Sequence, residues 1–168
     1  GQDPENQLCT DDFAGHWAHN ANLSVKAIMG MAGYSEMAKM LGFNNIADKY
    51  ATIAKKMAVK WEEMANEGDH YRLAFDREDT WSQKYNMIWD KMWNLNLFPN
   101  NVIGKEINYY LTKQNPYGLP LDSRKDYTKS DWIMWTAAMS SDQATFEKFV
   151  DPLYKYVNET ISRVPISD

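Results

Sequence analysis

The chain has 168 residues, a net charge of −5 and a single cysteine, and these properties exclude several classes of protein. The length suits one domain with a buried core, and the acidic balance disfavours nonspecific binding to nucleic acid phosphates. Every apolar run falls short of the roughly 18 residues that a membrane-spanning helix needs, so no membrane insertion is expected. The lone Cys9 excludes an internal disulfide and a cysteine-based zinc site.

Helical periodicity begins with two segments that differ in how much of their surface is apolar. The first is predicted at about Asn20–Leu41 and is apolar on several sides, which is typical of a helix inside a core. Its Gly30 and Gly33 predict that another helix packs closely against it. The second is predicted at about Asn45–Ala65, with Asn44 as its N-cap, and has one apolar stripe. We therefore expect an inner helix followed by an outer one.

The alternation of inner and outer helices recurs in two further pairs. These helices are predicted at about Trp81–Asn94, from Pro99 to a stop at Asn115-Pro116, at about Ser130–Met139, and after Asp142 with a kink at Pro152. The run His70–Phe75 alternates in polarity and could be a short strand, but one strand cannot build a sheet. The residues therefore predict one helical domain, with an N-terminal extension at 1–15 and hairpins at about 16–66, 80–115 and 128–162.

Polar and charged residues concentrate in the stretches that precede the odd-numbered helices. These stretches are 11–19, 69–79 and 122–129, whereas the connections after the odd-numbered helices are short. In an up-down helical array every odd-numbered helix begins at the same end. The three stretches are therefore expected to meet on one face, which we predict to be a binding face.

Six motifs follow one another along the chain in an order that carries a resemblance. They are Leu8–His16, His19–Ile28, Thr80–Asn86, Tyr117–Lys125, Thr128–Trp135 and Ser162–Pro165. Together they cover nearly the whole chain and resemble the glutaminase A family. The resemblance implies an all-α fold, in which three antiparallel helical hairpins form about half of an (α/α)6 toroid. Six-hairpin toroids of this kind also form the catalytic domains of several glycosidases.

The resemblance also implies an enzymatic activity and a cellular location for the full-length protein. The implied reaction is hydrolysis of L-glutamine to L-glutamate and ammonia, by a longer protein that is extracellular or periplasmic. Three hairpins are half of such a ring, so the isolated fragment is expected to be inactive. The expected partners are a small-molecule substrate (glutamine or a sugar) and the remainder of the full-length chain; no cofactor, metal ion or nucleic acid is expected. Apolar surface at the edges of half a ring predicts self-association of the fragment.

Amide hydrolysis requires acid/base groups, and glutamine also needs a cation for its carboxylate and an anion for its ammonium. Asp12 and Asp131 are the candidate catalytic pair, because both are expected near the starts of inner helices. Arg124 can hold a carboxylate with two parallel hydrogen bonds, although it and Lys129 could equally be surface cations. The candidate substrate-binding residues are Asp11, His16, Lys84, Asp122, Arg124 and Lys129.

The acidic residues could also have structural roles at the starts of helices rather than roles in catalysis or binding. Asp11 and Asp12 could cap the first helix, where carboxylates are favoured. Asp131 could be an ordinary first-turn acid in a loose capping box that begins at Thr128.

Two other functions are compatible with the same features. A carbohydrate-acting, glycosidase-like toroid would use aromatic rings for stacking and a pair of carboxylates for hydrolysis. A non-catalytic helical interaction domain would have no concave polar pocket. Both remain alternatives to the glutaminase hypothesis.

Overall fold

The structure, a computed structural model, describes residues 1–6, 9 and 14–161. Within these ranges the fold is all-helical, with isolated β-bridges and no strands. The helices are α1 (Ala21–Met40), α2 (Asn44–Ala65), α3 (Ile88–Trp93, preceded by a 3-10 turn at Tyr85–Met87), α4 (Asn100–Leu111), α5 (Ser130–Ala138) and α6 (Gln143–Glu159). The predicted all-α class is thereby confirmed. Among the described residues, no helix combines the length and apolar character required to cross a membrane.

Three helical segments lie side by side, and the other helices pack against them. The 3-10 turn before α3 contacts both α1 and α5, and α3 itself also contacts α5. α2 packs along α1, and α6 packs along α5. α4 covers the connection between α2 and α3, where Glu106 accepts a hydrogen bond from the backbone N–H of Tyr71 at 2.9 Å. This order agrees with the predicted alternation of inner and outer helices.

Small residues line the contact between α1 and α2. Ala54 and Ala58 of α2 are fully buried, whereas Ile53 and Met57 of the predicted apolar stripe are only partly buried. The hydroxyl of Ser35 in α1 donates a buried hydrogen bond of 2.7 Å to a backbone carbonyl of α2. The distance between packed helices depends on the side chains at their contact, so these short side chains bring the two helices close together.

The two glycines of α1 lie away from this contact. A Cβ atom at Gly30 would meet nothing within 4 Å, and one at Gly33 would meet a carbon of the Trp93 ring at 3.8 Å. Gly30 therefore marks no close helix contact among the described residues, whereas Gly33 lies at ordinary contact distance from α3. The close packing of α1 against α2 comes from alanine and serine side chains instead.

Two predicted helix starts differ from the structure. Asn44 is the first residue of α2, and Phe43 occupies the cap position without a side-chain hydrogen bond. Helical structure in the third segment begins at Tyr85 rather than Trp81. The 81–83 backbone pairs with a distant loop, which keeps it extended before the helix.

The contacts of the 81–83 segment show why it is not helical. The N–H of Gln83 donates to the carbonyl oxygen of Leu121 at 2.8 Å, and the N–H of Ser123 donates to that of Trp81 at 3.0 Å. Ser82 forms an isolated antiparallel bridge in the same region. These hydrogen bonds replace those that a helix would make.

Local signals place the start of α6 correctly. Asp142 is its N-cap and accepts a hydrogen bond from the backbone N–H of Thr145 at 2.9 Å, which lowers the pKa of the Asp142 carboxyl. Pro152 lies inside this helix. The run His70–Phe75 contributes isolated bridges rather than a strand.

Candidate functional site

The three polar stretches meet where α1, the 3-10 turn and α5 begin. The N–H of Phe75 donates to the carbonyl oxygen of His19 at 2.9 Å, which joins the second stretch to the first. Nη1 of Arg124 donates to the carbonyl oxygen of Gly15 at 2.6 Å, which joins the third stretch to the first. We call this surface the loop face; it comprises residues 14–19, 69–82 and 121–131.

Trp17 contacts two guanidinium groups on the loop face. Cζ of Arg124 lies 5.0 Å from the centre of the Trp17 ring, and Cζ of Arg77 lies 4.9 Å from it. A cation at this distance from an indole ring is attracted by the ring's negative face. Each residue comes from a different polar stretch, so the Trp17 cluster (Trp17, Arg77 and Arg124) joins all three stretches.

Asp122 and Arg124 form a nearly buried ion pair. Nη2 of Arg124 lies 2.7 Å from Oδ2 of Asp122, and Nε lies 3.0 Å from Oδ1. The backbone N–H of Arg124 also donates to Oδ1, and the two side chains are only 9% and 5% exposed. The structure thus brings two predicted substrate-binding residues together. The guanidinium fork that could hold a substrate carboxylate holds Asp122 instead.

Asp131 and Lys129 lie at the start of α5. Asp131 is exposed, and its Oδ1 accepts a hydrogen bond from the backbone N–H of Trp132 at 2.9 Å. Lys129 occupies the N-cap position, and its Nζ lies 5.9 Å from the centre of the Trp132 ring. The hydroxyl of Thr128 accepts a hydrogen bond from Nε2 of Gln83 at 3.1 Å, and the N-cap of α5 is Lys129 rather than Thr128. Asp131 is a first-turn acid with a solvent-exposed carboxylate, and its catalytic role stays a prediction.

The remaining acidic candidates precede α1. Asp11 and Asp12 lie outside the described residues. The cap of α1 is Asn20, whose side chain accepts a hydrogen bond from the N–H of Leu23 at 2.8 Å, so this helix is capped without them. His16 lies on the loop face and is exposed.

Lys84 lies beneath the loop face rather than on it. Its fully buried Nζ donates to the carbonyl oxygens of Tyr71 at 2.8 Å and Ser82 at 2.9 Å. Oε2 of Glu106 lies 3.3 Å away and also contacts the hydroxyl of Tyr110. Burial lowers the pKa of Lys84, and the Glu106 carboxylate offsets part of that shift. A ligand would have to displace these contacts to reach Lys84, which in the structure joins the loop face to α4.

His19, at the end of the first stretch, is hydrogen-bonded to the carboxylate of Asp3. Its Nδ1 lies 2.8 Å from Oδ1 of Asp3, and this hydrogen bond raises the pKa of His19. The contact therefore stabilises the fold below the ordinary histidine pKa and is lost as pH rises through the raised value.

Replacing Asp3 with asparagine is expected to lower the pKa of His19 toward its ordinary value. A titration of the imidazole ring protons by NMR measures this shift. Glu5→Gln is the matched control, because Glu5 acts on His19 only as a more distant charge, and it should give a smaller decrease. An unchanged His19 pKa in Asp3→Asn would contradict the contact.

Two concave sites open at or beside the loop face. A cup of about 340 Å³ has a polar lining that includes Lys113, Asp122, Arg124, Lys125 and Asp126. A cavity of about 500 Å³ between residues 115–118, 126–130 and α6 is lined in part by Tyr117, Tyr127, Tyr156 and Asp126. A concave polar cup is the feature that the non-catalytic hypothesis predicts to be absent.

Comparison with known proteins decides the family. Residues 1–168 match the family described as the glutaminase A six helical-hairpin domain. The chain belongs to the glutaminase A family. A relative from Aspergillus oryzae named Glutaminase A is 33% identical over 169 residues, which are 98% of this chain and 24% of that protein. A relative from Arthroderma benhamiae named probable glutaminase is 34% identical over 202 residues, covering 99% of this chain and 22% of that protein.

This membership confirms the predicted resemblance and the six-hairpin type of domain. The chain spans about a quarter of the length of the two curated relatives. The glutaminase A motifs supply the central contacts of the loop face: Tyr117–Lys125 carries the buried ion pair, and Thr80–Asn86 carries the segment paired with it. Sequence reasoning missed Trp17 and Glu106, because a lone loop tryptophan and a helical glutamate give no signal of distant partners.

Proposed function

We propose that this domain contributes the loop face to a glutaminase that hydrolyses L-glutamine to L-glutamate and ammonia within a longer protein. The observation that carries the proposal is the exposed carboxylate of Asp131 on a surface where three polar stretches converge. Membership in a family whose two curated relatives are named as glutaminases supports the choice of substrate.

The proposed reaction adds water to the side-chain carboxamide of glutamine. The water oxygen bonds to the carboxamide carbon, the C–N bond breaks, and the nitrogen leaves as ammonia after gaining a proton. One of Asp12 and Asp131 would accept the proton of water, and the other would protonate the leaving nitrogen. Lys129, beside Asp131, would stabilise the negative charge that develops on the carboxamide oxygen. Asp11 and His16 are the candidates for binding the polar end of glutamine.

Ammonia release from glutamine by the full-length protein tests this proposal. The double variant Asp12→Asn, Asp131→Asn is expected to lower kcat at least about 100-fold, because general acid–base catalysis contributes roughly 10²–10⁴. Asp76→Asn is the matched control, since Asp76 is an exposed aspartate on the same loop face. A wild-type protein that releases no ammonia, or a double variant as active as wild type, would refute the proposal.

A carbohydrate substrate is the second candidate, and the tyrosine-lined cavity favours it. Tyr117 and Tyr127 are 48% and 44% exposed, and Asp126 lies at the same cavity. Aromatic rings stack on the apolar faces of sugars, and a carboxylate accepts hydrogen bonds from their hydroxyls. The hydroxyl of Tyr117 donates to Glu159 at 2.8 Å, which raises the pKa of Tyr117 and holds its ring. Binding of maltose or cellobiose that is lost in Tyr127→Ala, together with no ammonia release from glutamine, would favour this candidate.

We also propose that the isolated 168-residue chain associates with a second copy through an apolar groove between α1 and α3. Met37 and Met40 are 57% and 81% exposed beside this groove, which has a volume of about 530 Å³ and includes Trp93. Apolar patches of this kind tend to be covered. In a longer protein the remaining hairpins would cover the same surface.

Met40→Glu is expected to shift the isolated chain toward the monomer. Light scattering during size-exclusion chromatography over a range of concentrations measures the mass. Tyr154→Glu is the control, because Tyr154 is 70% exposed on α6, outside the groove, and should leave the mass unchanged. A wild-type chain that stays monomeric at high concentration would contradict this prediction.

A further inference from the structure

The Trp17 cluster has no part in the proposed acid–base pair, yet it joins every polar stretch of the loop face. Arg124 directs Nε and Nη2 to Asp122, directs Nη1 to the carbonyl oxygen of Gly15, and lies over the ring of Trp17. Its charge is therefore compensated inside the protein, and its hydrogen bonds point at the protein's own chain. Arg77 approaches the same indole from the second stretch.

Asp122, the ion-pair partner of Arg124, connects the Trp17 cluster to the core through backbone contacts. Asp122 forms backbone bridges with Ser82 and Lys125. Ser82 in turn accepts a hydrogen bond from the buried ammonium of Lys84. The position of Arg124 is thus fixed by contacts that lead to the core, while its guanidinium group holds the segment that contains Gly15.

We propose that Trp17 and Arg124 are positioning residues that hold residues 14–19 against the rest of the loop face, which is formed by residues 69–82 and 121–131. This inference rests on the proposed function, because the same segment carries His16, a candidate for binding glutamine. Arg124 then acts on the reaction through the segment rather than by binding the carboxylate of glutamine.

Hydrogen exchange of the folded chain tests whether Trp17 and Arg124 hold residues 14–19, an arrangement that we call the clamp. This measurement does not require enzymatic activity. Trp17→Ala and Arg124→Met should each speed amide exchange in residues 14–19 about tenfold, because each removes cation–π contacts from the segment. Trp17→Phe keeps an aromatic face and should recover part of the protection. Lys125→Met is the matched control, since it removes a neighbouring exposed cation that is outside the cluster, and it should leave exchange in 14–19 unchanged.

Unchanged exchange of residues 14–19 in both Trp17→Ala and Arg124→Met would overturn the clamp. Exchange that rises across the whole chain would also overturn it, because the effect would then be general unfolding rather than release of one segment. If the wild-type protein releases no ammonia, only the glutaminase proposal is refuted. The exchange experiment would still show whether Trp17 and Arg124 hold residues 14–19.

Kinetics of the full-length protein separate positioning from substrate binding. If Arg124 acts through the segment, Trp17→Ala and Arg124→Met should each lower kcat/KM about tenfold and should change kcat and KM in the same way, and the double variant should be no worse than either single variant. If Arg124 binds the carboxylate of glutamine, Arg124→Met should raise KM in a way that Trp17→Ala does not, and the two substitutions should be additive. The second pattern would overturn the inference.

Discussion

Replacing Glu106 with glutamine is expected to lower the free energy of unfolding by about 3–5 kcal/mol, the usual cost of breaking a buried ion pair from one side. Lys84 and Glu106 are both fully buried, and the lysine Nζ lies 3.3 Å from the carboxylate. The amide keeps the size of Glu106 but not its charge, so the ammonium is left in the core without a counter-ion. Because small domains unfold with only about 5–15 kcal/mol, this would remove a large part of the stability. Urea unfolding followed by circular dichroism measures the loss.

A second variant separates charge from packing at this site. Lys84→Met in the Glu106→Gln background removes the uncompensated charge, so the double variant should be more stable than Glu106→Gln alone. Asp76→Asn is the control, because Asp76 and Arg77 form an exposed pair at 3.9 Å and such pairs contribute little. A loss below about 1 kcal/mol in Glu106→Gln would show that the buried pair is not needed for stability.

The stability of Glu106→Gln should also depend on pH in a defined direction. Burial lowers the pKa of Lys84 in the folded state, and loss of the carboxylate lowers it further. At pH values between the lowered pKa of Lys84 and the ordinary lysine pKa, the unfolded chain binds more protons than the folded chain. The free energy of unfolding therefore rises with pH over this range. The deficit of Glu106→Gln relative to wild type should therefore shrink as pH rises toward the ordinary lysine value of about 10.4. A deficit that grows over this range would contradict the assignment.

The ends of the helices were predictable wherever a local signal sets them. Asn20 caps α1 through its own side chain, Gly42 follows that helix with φ of 78°, and Asp142 caps α6. In each case the deciding hydrogen bond or backbone angle lies within a few residues of the helix end. The start of the third helix was not predictable, because the 81–83 backbone pairs with residues about 40 positions later.

The same distinction applies to the loop face. Its existence follows from the alternation of the helices, since short connections after the odd-numbered helices force the long ones to one end. The structural roles of individual side chains cannot be predicted from that alternation of helices. Lys84 looks like a surface cation in a polar motif until Glu106 is placed beside it, and Arg124 looks like a carboxylate ligand until Asp122 occupies its fork. Charged side chains take their roles from partners that only the tertiary structure supplies.

Replacing Trp61 with alanine is expected to lower the free energy of unfolding by about 3–5 kcal/mol, as large-to-small core substitutions of aromatic residues do. Trp61 is fully buried and packs against Tyr71 and Phe98, with ring centres 5.0 Å and 5.5 Å away. The substitution would leave a cavity where α2, the connection to α3 and the turn before α4 meet. Tyr154→Ala is the control, because Tyr154 is 70% exposed on α6, and it should cost less than about 1 kcal/mol.

A phenylalanine at position 61 separates the ring of Trp61 from its hydrogen bond. Nε1 of Trp61 donates to the carbonyl oxygen of Ala21, the first residue of α1, at 2.8 Å. Trp61→Phe fills most of the cavity but removes this bond, so it should cost about 1–2 kcal/mol in urea unfolding. It should also speed amide exchange at Leu23, because the hydrogen bond fixes the start of α1 where the loop face begins. If the phenylalanine variant costs as much as alanine, the hydrogen bond rather than core volume is the main contribution of Trp61. If exchange at Leu23 does not change, the start of α1 does not depend on the hydrogen bond from Trp61.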